Sequence, residues 1–130
     1  MKVSKITIAG LGLIGGSLAK AFRRTNPDFA IAGVDRDRTN LDQALKDGTV
    51  NKAYERLEDA VSDSQIVFLC TPVNSIPDMF EALSRCIQPG TIVTDVGSIK
   101  DSIMKKADEL LPSDTYFIGG HPMAGAERSG

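Results

Sequence analysis

The chain has 130 residues, 42% hydrophobic and 25% charged, the length and composition of one globular domain with a single core. Its net charge of -2, with lysines and arginines interspersed among acids, leaves no electrostatic footprint for nucleic acid or an anionic membrane, so a small molecule is the expected partner. Cys70 and Cys86 are the only two cysteines and lack metal-ligand spacing, which argues against a disulfide framework or a metal and for reduced thiols in a cytoplasmic protein.

Lys2 and Lys5 precede an apolar, Gly-rich run with the outline of a signal peptide. That run carries glycines at G-x-G-x-x-G spacing and leads into a pattern with Lys20, Arg23 and Arg24, so it reads as a first strand, Ile6 to Ala9, and a first helix. The helix places Ile14, Leu18, Ala21 and Phe22 on one face and ends before Asn26-Pro27-Asp28. A second strand, Ala30 to Val34, precedes a helix through Leu41, Ala44 and Leu45 that stops at Asp47-Gly48. Between Thr49 and Ser64 the pattern is weaker and suggests a short strand and a short helix around Leu57 to Val61.

Ile66 to Cys70 is an uncharged, buried strand that Thr71-Pro72 brings to an end, because proline cannot donate to a ladder. Ile76, Met79, Phe80, Leu83 and Ile87 form a helical stripe, Pro89-Gly90 turns the chain, and Thr91 to Thr94 is the next strand. A last helix carries Ile99, Ile103, Ala107 and Leu110, stops at Pro112 and leads to a strand at Tyr116 to Ile118. No stretch is long enough to span a membrane. Strands alternating with helices predict an α/β fold, a doubly wound parallel sheet of the Rossmann type, as one domain from residue 1 to 130.

In such a sheet ligands bind beyond the carboxyl ends of the strands, and the residues at those ends form a coherent set. Gly10, Gly12 and Gly15, with Leu11, Leu13 and Ile14 between them, make a turn from strand to helix. The first glycine permits the turn, the second leaves room for a pyrophosphate, and the third lets helix and strand pack closely. Asp35 follows the second strand, 20 residues after Gly15, where a carboxylate accepts hydrogen bonds from the adenosine ribose hydroxyls of NAD and repels the extra phosphate of NADP. Arg36 beside it could pair with that phosphate, yet Asp35 makes NAD the expected cofactor and NADP the lesser one.

Thr71 and Pro72 fall where the middle of a dinucleotide would pass, although Thr-Pro is also ordinary loop chemistry. Ser98, three residues before Asp101, reads equally as a helix cap or a substrate contact. His121, the single histidine, lies in Gly119-Gly120-His121-Pro122-Met123-Ala124-Gly125 after the last strand, where its unperturbed pKa suits proton transfer.

The stretches Gly10 to Leu18, Cys70-Thr71-Pro72-Val73, Asp95-Val96-Gly97-Ser98-Ile99-Lys100 and Gly119 to Gly125 resemble the N-terminal domain of the prephenate dehydrogenases, a family that includes arogenate and cyclohexadienyl dehydrogenases. The resemblance implies NAD-dependent oxidative decarboxylation of prephenate or arogenate in tyrosine biosynthesis. His121 would then take the proton of the ring hydroxyl, and Ser98 would orient that hydroxyl and the nicotinamide. It also implies an all-helical second domain beyond Gly130 that supplies substrate contacts and a homodimer interface, leaving this chain incomplete for turnover. Two other readings compete: a β-hydroxyacid-type dehydrogenase, which would give the Gly-Gly-His-Pro loop no purpose, and a non-catalytic NAD-binding module.

Overall fold

Apolar runs flanked by helical stripes can bury both faces of a strand only if helices cover both sides of a parallel sheet. The computed structural model describes residues 3–96 and 101–119 and shows that arrangement. The strands are β1 (Lys5–Ala9), β2 (Ala30–Val34), β3 (Lys52–Tyr54), β4 (Ile66–Leu69), β5 (Ile92–Asp95) and β6 (Tyr116–Gly119). The helices are α1 (Leu13–Thr25), α2 (Arg38–Lys46), α3 (Leu57–Ala60), α4 (Ile76–Ser84) and α5 (Asp101–Leu110). The six-stranded sheet runs β3-β2-β1-β4-β5-β6 with every pair parallel, so the order reverses between β1 and β4. The expected doubly wound α/β sheet is the observed one.

Alternation along β1 divides the core. Ile6 and Ile8 face Ala19 of α1 and Leu41 of α2, joined by Ile31 and by partly buried Phe22. Ala9, Val67, Leu69 and Val93 face the other side, against Ile76, Phe80 and Leu83 of α4 and Ala107 of α5. Each of the fully buried Ile, Leu and Phe side chains contributes about 1.5–3 kcal/mol of transfer free energy. Thr7 also points to the second side, where its hydroxyl meets the Ala60 carbonyl oxygen and the Ser64 hydroxyl, so its burial leaves no polar atom stranded.

Register aligns the carboxyl ends. Ala9 pairs with Val34 on one flank and with Leu69 on the other, Leu69 with Asp95, and Asp95 with Gly119. The segments that follow β1, β2, β4 and β5 therefore emerge along one edge of the sheet, beside the reversal of strand order where an α/β sheet opens a crevice. The far end of α1 is fixed by Arg23, whose guanidinium donates to the carbonyl oxygens of Gly48, Pro27 and Phe29 and to Asn51 Oδ1.

The structure corrects several expectations. Ile14 is not on the core face of α1 but 53% exposed. The core face runs through buried Gly15 and Ala19 and partly buried Leu18 and Phe22, because the tight approach of Gly15 to the Gly10 carbonyl oxygen sets the helix rotation. Leu45 is likewise 40% exposed, since the α2 contact line passes through Leu41 and Ala44. β4 ends at Leu69, one residue earlier than expected, and a 3-10 turn at Val73–Ser75 precedes α4, which ends before Ile87.

Candidate functional site

The turn after β1 is built by its glycines. Gly10 donates its backbone N–H to the Val34 carbonyl oxygen at 2.7 Å and has φ +95°, a left-handed conformation suited to glycine. A Cβ there would lie 2.8 Å from the Cys70 carbonyl oxygen and 2.9 Å from Thr71 Cγ2. At Gly15 a Cβ would stand 1.7 Å from the Gly10 carbonyl oxygen, so this glycine lets α1 close onto the loop. Gly12 is the contrast: a Cβ on it meets nothing within 4 Å. Bare backbone there faces open space, the cradle a pyrophosphate requires.

Gly12 is also the N-cap of α1, with no side-chain cap and no acid in the first turn, while Arg23 and Arg24 occupy the last. The helix thus presents its N-terminal amides and the positive end of its dipole to the open side, an arrangement that favours an anion. Leu13 and Ile14 project outward from this turn, 87% and 53% exposed. Leu11 instead turns inward and is 7% exposed. It fits over Gly33 of β2, where a Cβ would come within 2.8 Å of Leu11 Cδ1.

Asp35 meets the loop directly. Its Oδ2 accepts a hydrogen bond from the Leu11 N–H at 2.8 Å and one from Asn40 Nδ2 at 3.2 Å, while Oδ1 accepts from the Asp37 N–H at 2.8 Å. The expected acid therefore lies against the expected glycine turn. Arg36 beside it is exposed. Between α1 and α2 lies a cleft of about 240 Å³ whose lining includes Gly12, Leu13, Ser17, Lys20, Asn40 and Gln43. Asn40 and Gly33 escaped the sequence reading. A glycine inside an apolar strand was a usable sign of close approach, whereas a polar residue in the first turn of a helix carries no sign at all.

Across the switch point, Thr71 packs its methyl toward Gly10 and points its hydroxyl at the Met79 sulfur, 3.4 Å away, while Pro72 is exposed. Thr71 thus supports the loop from the β4 side. The Cys70 thiol is pushed up to about 12, first by burial and then by the carboxylate of buried Asp95. It is neutral at physiological pH and serves packing rather than nucleophilic or redox chemistry. Among the described residues no cluster of His, Cys, Asp or Glu could hold a metal. No described helix is long and apolar enough to cross a membrane. Ser98 and His121 lie outside the described residues.

Residues 18–130 match the family model for the prephenate dehydrogenase nucleotide-binding domain. The chain belongs to the prephenate dehydrogenase family. A prephenate dehydrogenase of Bacillus subtilis is 40% identical over 126 residues, 96% of this chain and 34% of its own length. A cyclohexadienyl dehydrogenase of Zymomonas mobilis is 32% identical over 125 residues, 96% of this chain and 42% of its own length. Among solved structures, prephenate dehydrogenase from Aquifex aeolicus in complex with hydroxyphenyl propionate and NAD+ superposes with a TM-score of 0.83 at 29% identity, covering 96% of this chain and 43% of that one. The chain thus spans between a third and a half of the curated relatives it matches. This family membership sets aside the β-hydroxyacid-type alternative.

Proposed function

We propose that residues 1–130 form the NAD-binding domain of a cytoplasmic dehydrogenase that oxidatively decarboxylates prephenate or arogenate. The observation that carries the cofactor is the pairing of an open Gly12 backbone with the Asp35 carboxylate held against Leu11. The N-terminal amides of α1 bind the pyrophosphate, Gly12 leaves the room for it, and Asp35 accepts from the adenosine ribose. A phosphate on the ribose 2′ oxygen would be brought against that carboxylate, so NAD is preferred over NADP despite Arg36 nearby.

NAD supplies a two-electron hydride acceptor when bound. His121 takes the proton of the substrate ring hydroxyl, and Ser98 orients that hydroxyl; both assignments rest on the family resemblance of their motifs. The ring C–H electron pair leaves as hydride to the nicotinamide, the carboxylate departs as carbon dioxide, the C–C electron pair it leaves behind aromatises the ring, and the proton held on His121 returns to the phenolate oxygen, giving 4-hydroxyphenylpyruvate from prephenate or tyrosine from arogenate. Thr71 and Pro72 line the path between ribose and nicotinamide. Substrate carboxylate contacts and the homodimer interface are assigned to further residues of a longer protein, as the length of the curated relatives suggests.

Titration of the chain with NAD and NADP, followed by addition of prephenate or arogenate while NADH absorbance is recorded, tests this reading. NAD binding tighter than NADP binding supports it. Binding of neither cofactor overturns it.

A further inference from the structure

We infer that Asn40 is a positioning residue for the Asp35 carboxylate and, through it, a determinant of the choice between NAD and NADP. The inference rests on the cofactor reading above and adds a residue that the glycine turn and its acid do not include.

A carboxylate offers about four acceptor positions. In Asp35 three are taken: Oδ2 by the Leu11 N–H and by Asn40 Nδ2, and Oδ1 by the Asp37 N–H. Two of these donors are backbone amides that the chain path supplies whatever their side chains. Asn40 is the one side-chain donor, and it stands in the first turn of α2. Its own position is set by a local device, for Asp37 caps α2 by accepting from the Thr39 N–H at 2.9 Å. The segment from Asp35 to Asn40 is thus a closed set of bonds ending on the Asp35 carboxylate.

Two consequences follow for a ribose. With both Oδ2 positions occupied, the acceptor position that remains is on Oδ1, so an incoming hydroxyl has one place to bind. The carboxylate is also held at both oxygens, which removes its freedom to turn about its own bond. If Asn40 loses its amide, one backbone bond remains on each oxygen, Leu11 on Oδ2 and Asp37 on Oδ1, so the carboxylate stays in place but is aligned less firmly and Oδ2 regains an open acceptor position. Its charge remains, so the repulsion of a 2′-phosphate remains as well. NAD therefore loses an aligned acceptor, whereas NADP loses nothing it was using.

The test is the affinity of Asn40→Leu for NAD and for NADP, by titration of the whole chain, with thermal unfolding as a check on folding. NAD binding is expected to weaken about three- to tenfold, the worth of one net hydrogen bond, with NADP changed by less than about twofold. In an Asp35→Asn background the same substitution is expected to change NAD binding by less than about twofold, because the charged group it orients is gone. Asn40→Ala repeats the measurement if Asn40→Leu lowers the melting temperature. Equal weakening of both cofactors would mean a merely structural role and would overturn the inference, as would unaltered NAD affinity or an undiminished effect beside Asp35→Asn. If the unmodified chain binds neither cofactor, the underlying reading falls first, and the two failures are told apart by that control.

Discussion

Gly12 and Gly15, three residues apart in the turn from β1 into α1, do different work, and substituting each by alanine separates folding from binding. At Gly15 the added Cβ would stand 1.7 Å from the Gly10 carbonyl oxygen and 3.3 Å from the Cys70 Cβ, and the first contact is with backbone that cannot swing aside. Restoring an ordinary separation of at least 3.4 Å needs α1 to retreat by about 1.7 Å, which loosens Leu18, Ala19 and Phe22 against Ile6 and Ile8. Overpacking with a forced backbone shift costs about 3 kcal/mol at the upper end of its range. For a domain of this size the melting temperature should fall by about 10 °C. At Gly12 the added Cβ meets nothing within 4 Å, and φ is -74°. Stability should change by less than about 1 kcal/mol, the lost cap preference offsetting the lower entropy of the unfolded chain. NAD affinity should nevertheless fall at least tenfold or so, because that methyl occupies the approach to the loop backbone. Thermal unfolding and NAD titration of both variants are the assay. Unchanged NAD binding in Gly12→Ala, or a melting point lowered as far as in Gly15→Ala, would refute the reasoning.

Asp35→Ser removes the carboxylate but leaves a small hydroxyl; NAD binding should weaken roughly tenfold or more while NADP binding improves, with Arg36 free to meet the added phosphate. A titration in which NADP gains nothing would argue against the ribose role. Cys70, with its thiol pushed up to about 12, should resist iodoacetamide at pH 8 in the folded chain and react readily once unfolded, which mass spectrometry of the labelled peptides can follow. The same shift has a sign for stability. The unfolded thiol loses its proton near its ordinary value of about 9 and the folded one does not, so stability is full below that pH and declines by up to about 1.4 kcal/mol per unit between there and about 12. Flat stability across that window in a Cys70→Ala comparison would contradict it. In a longer protein carrying the rest of the enzyme, His121→Asn should abolish prephenate turnover and leave NAD affinity intact; unchanged turnover would favour a non-catalytic module.

The legible parts of the fold were those where period and composition agree. β2 and β4 are uninterrupted apolar runs, β1 is apolar apart from Lys5 and Thr7, and the α4 stripe and Ala107 and Leu110 of α5 repeat at helical spacing, so tertiary contacts had only to confirm local preference. The errors arise where a tertiary contact outweighs the local pattern. Ile14 looks like a core residue on a helical wheel, but the wheel's origin is fixed by Gly15 against Gly10, a contact visible only in three dimensions. At the site, the placing of Asp35 beside the glycine turn is legible because residues that follow neighbouring parallel strands emerge together at their carboxyl ends. Leu11 was placed in the turn, but that it packs inward over Gly33 and offers its N–H to Asp35 depends on the β1–β2 register. Asn40 was unreadable for the same reason. It is five residues from Asp35 in sequence, and the Asp37 cap returns the chain so that its amide reaches the carboxylate.

That register also explains why the glycine turn and the acid behave as one unit. Ala9 is paired with Val34, so the next residue on each strand, Gly10 and Asp35, emerges side by side; the Gly10 N–H to the Val34 carbonyl oxygen carries the ladder one bond further, and the Leu11 N–H then reaches the Asp35 side-chain Oδ2. Neighbouring strands are about 4.8 Å apart. The groups proposed to read pyrophosphate and ribose are consequently spaced by strand geometry rather than by a free loop. A slip of one residue between β1 and β2 would exchange the faces of every side chain on one of them and part Asp35 from Leu11 at the same stroke. Selection for a packed core therefore also maintains the cofactor geometry. A turn tied by these bonds lowers the ordering cost that a bound dinucleotide has to offset.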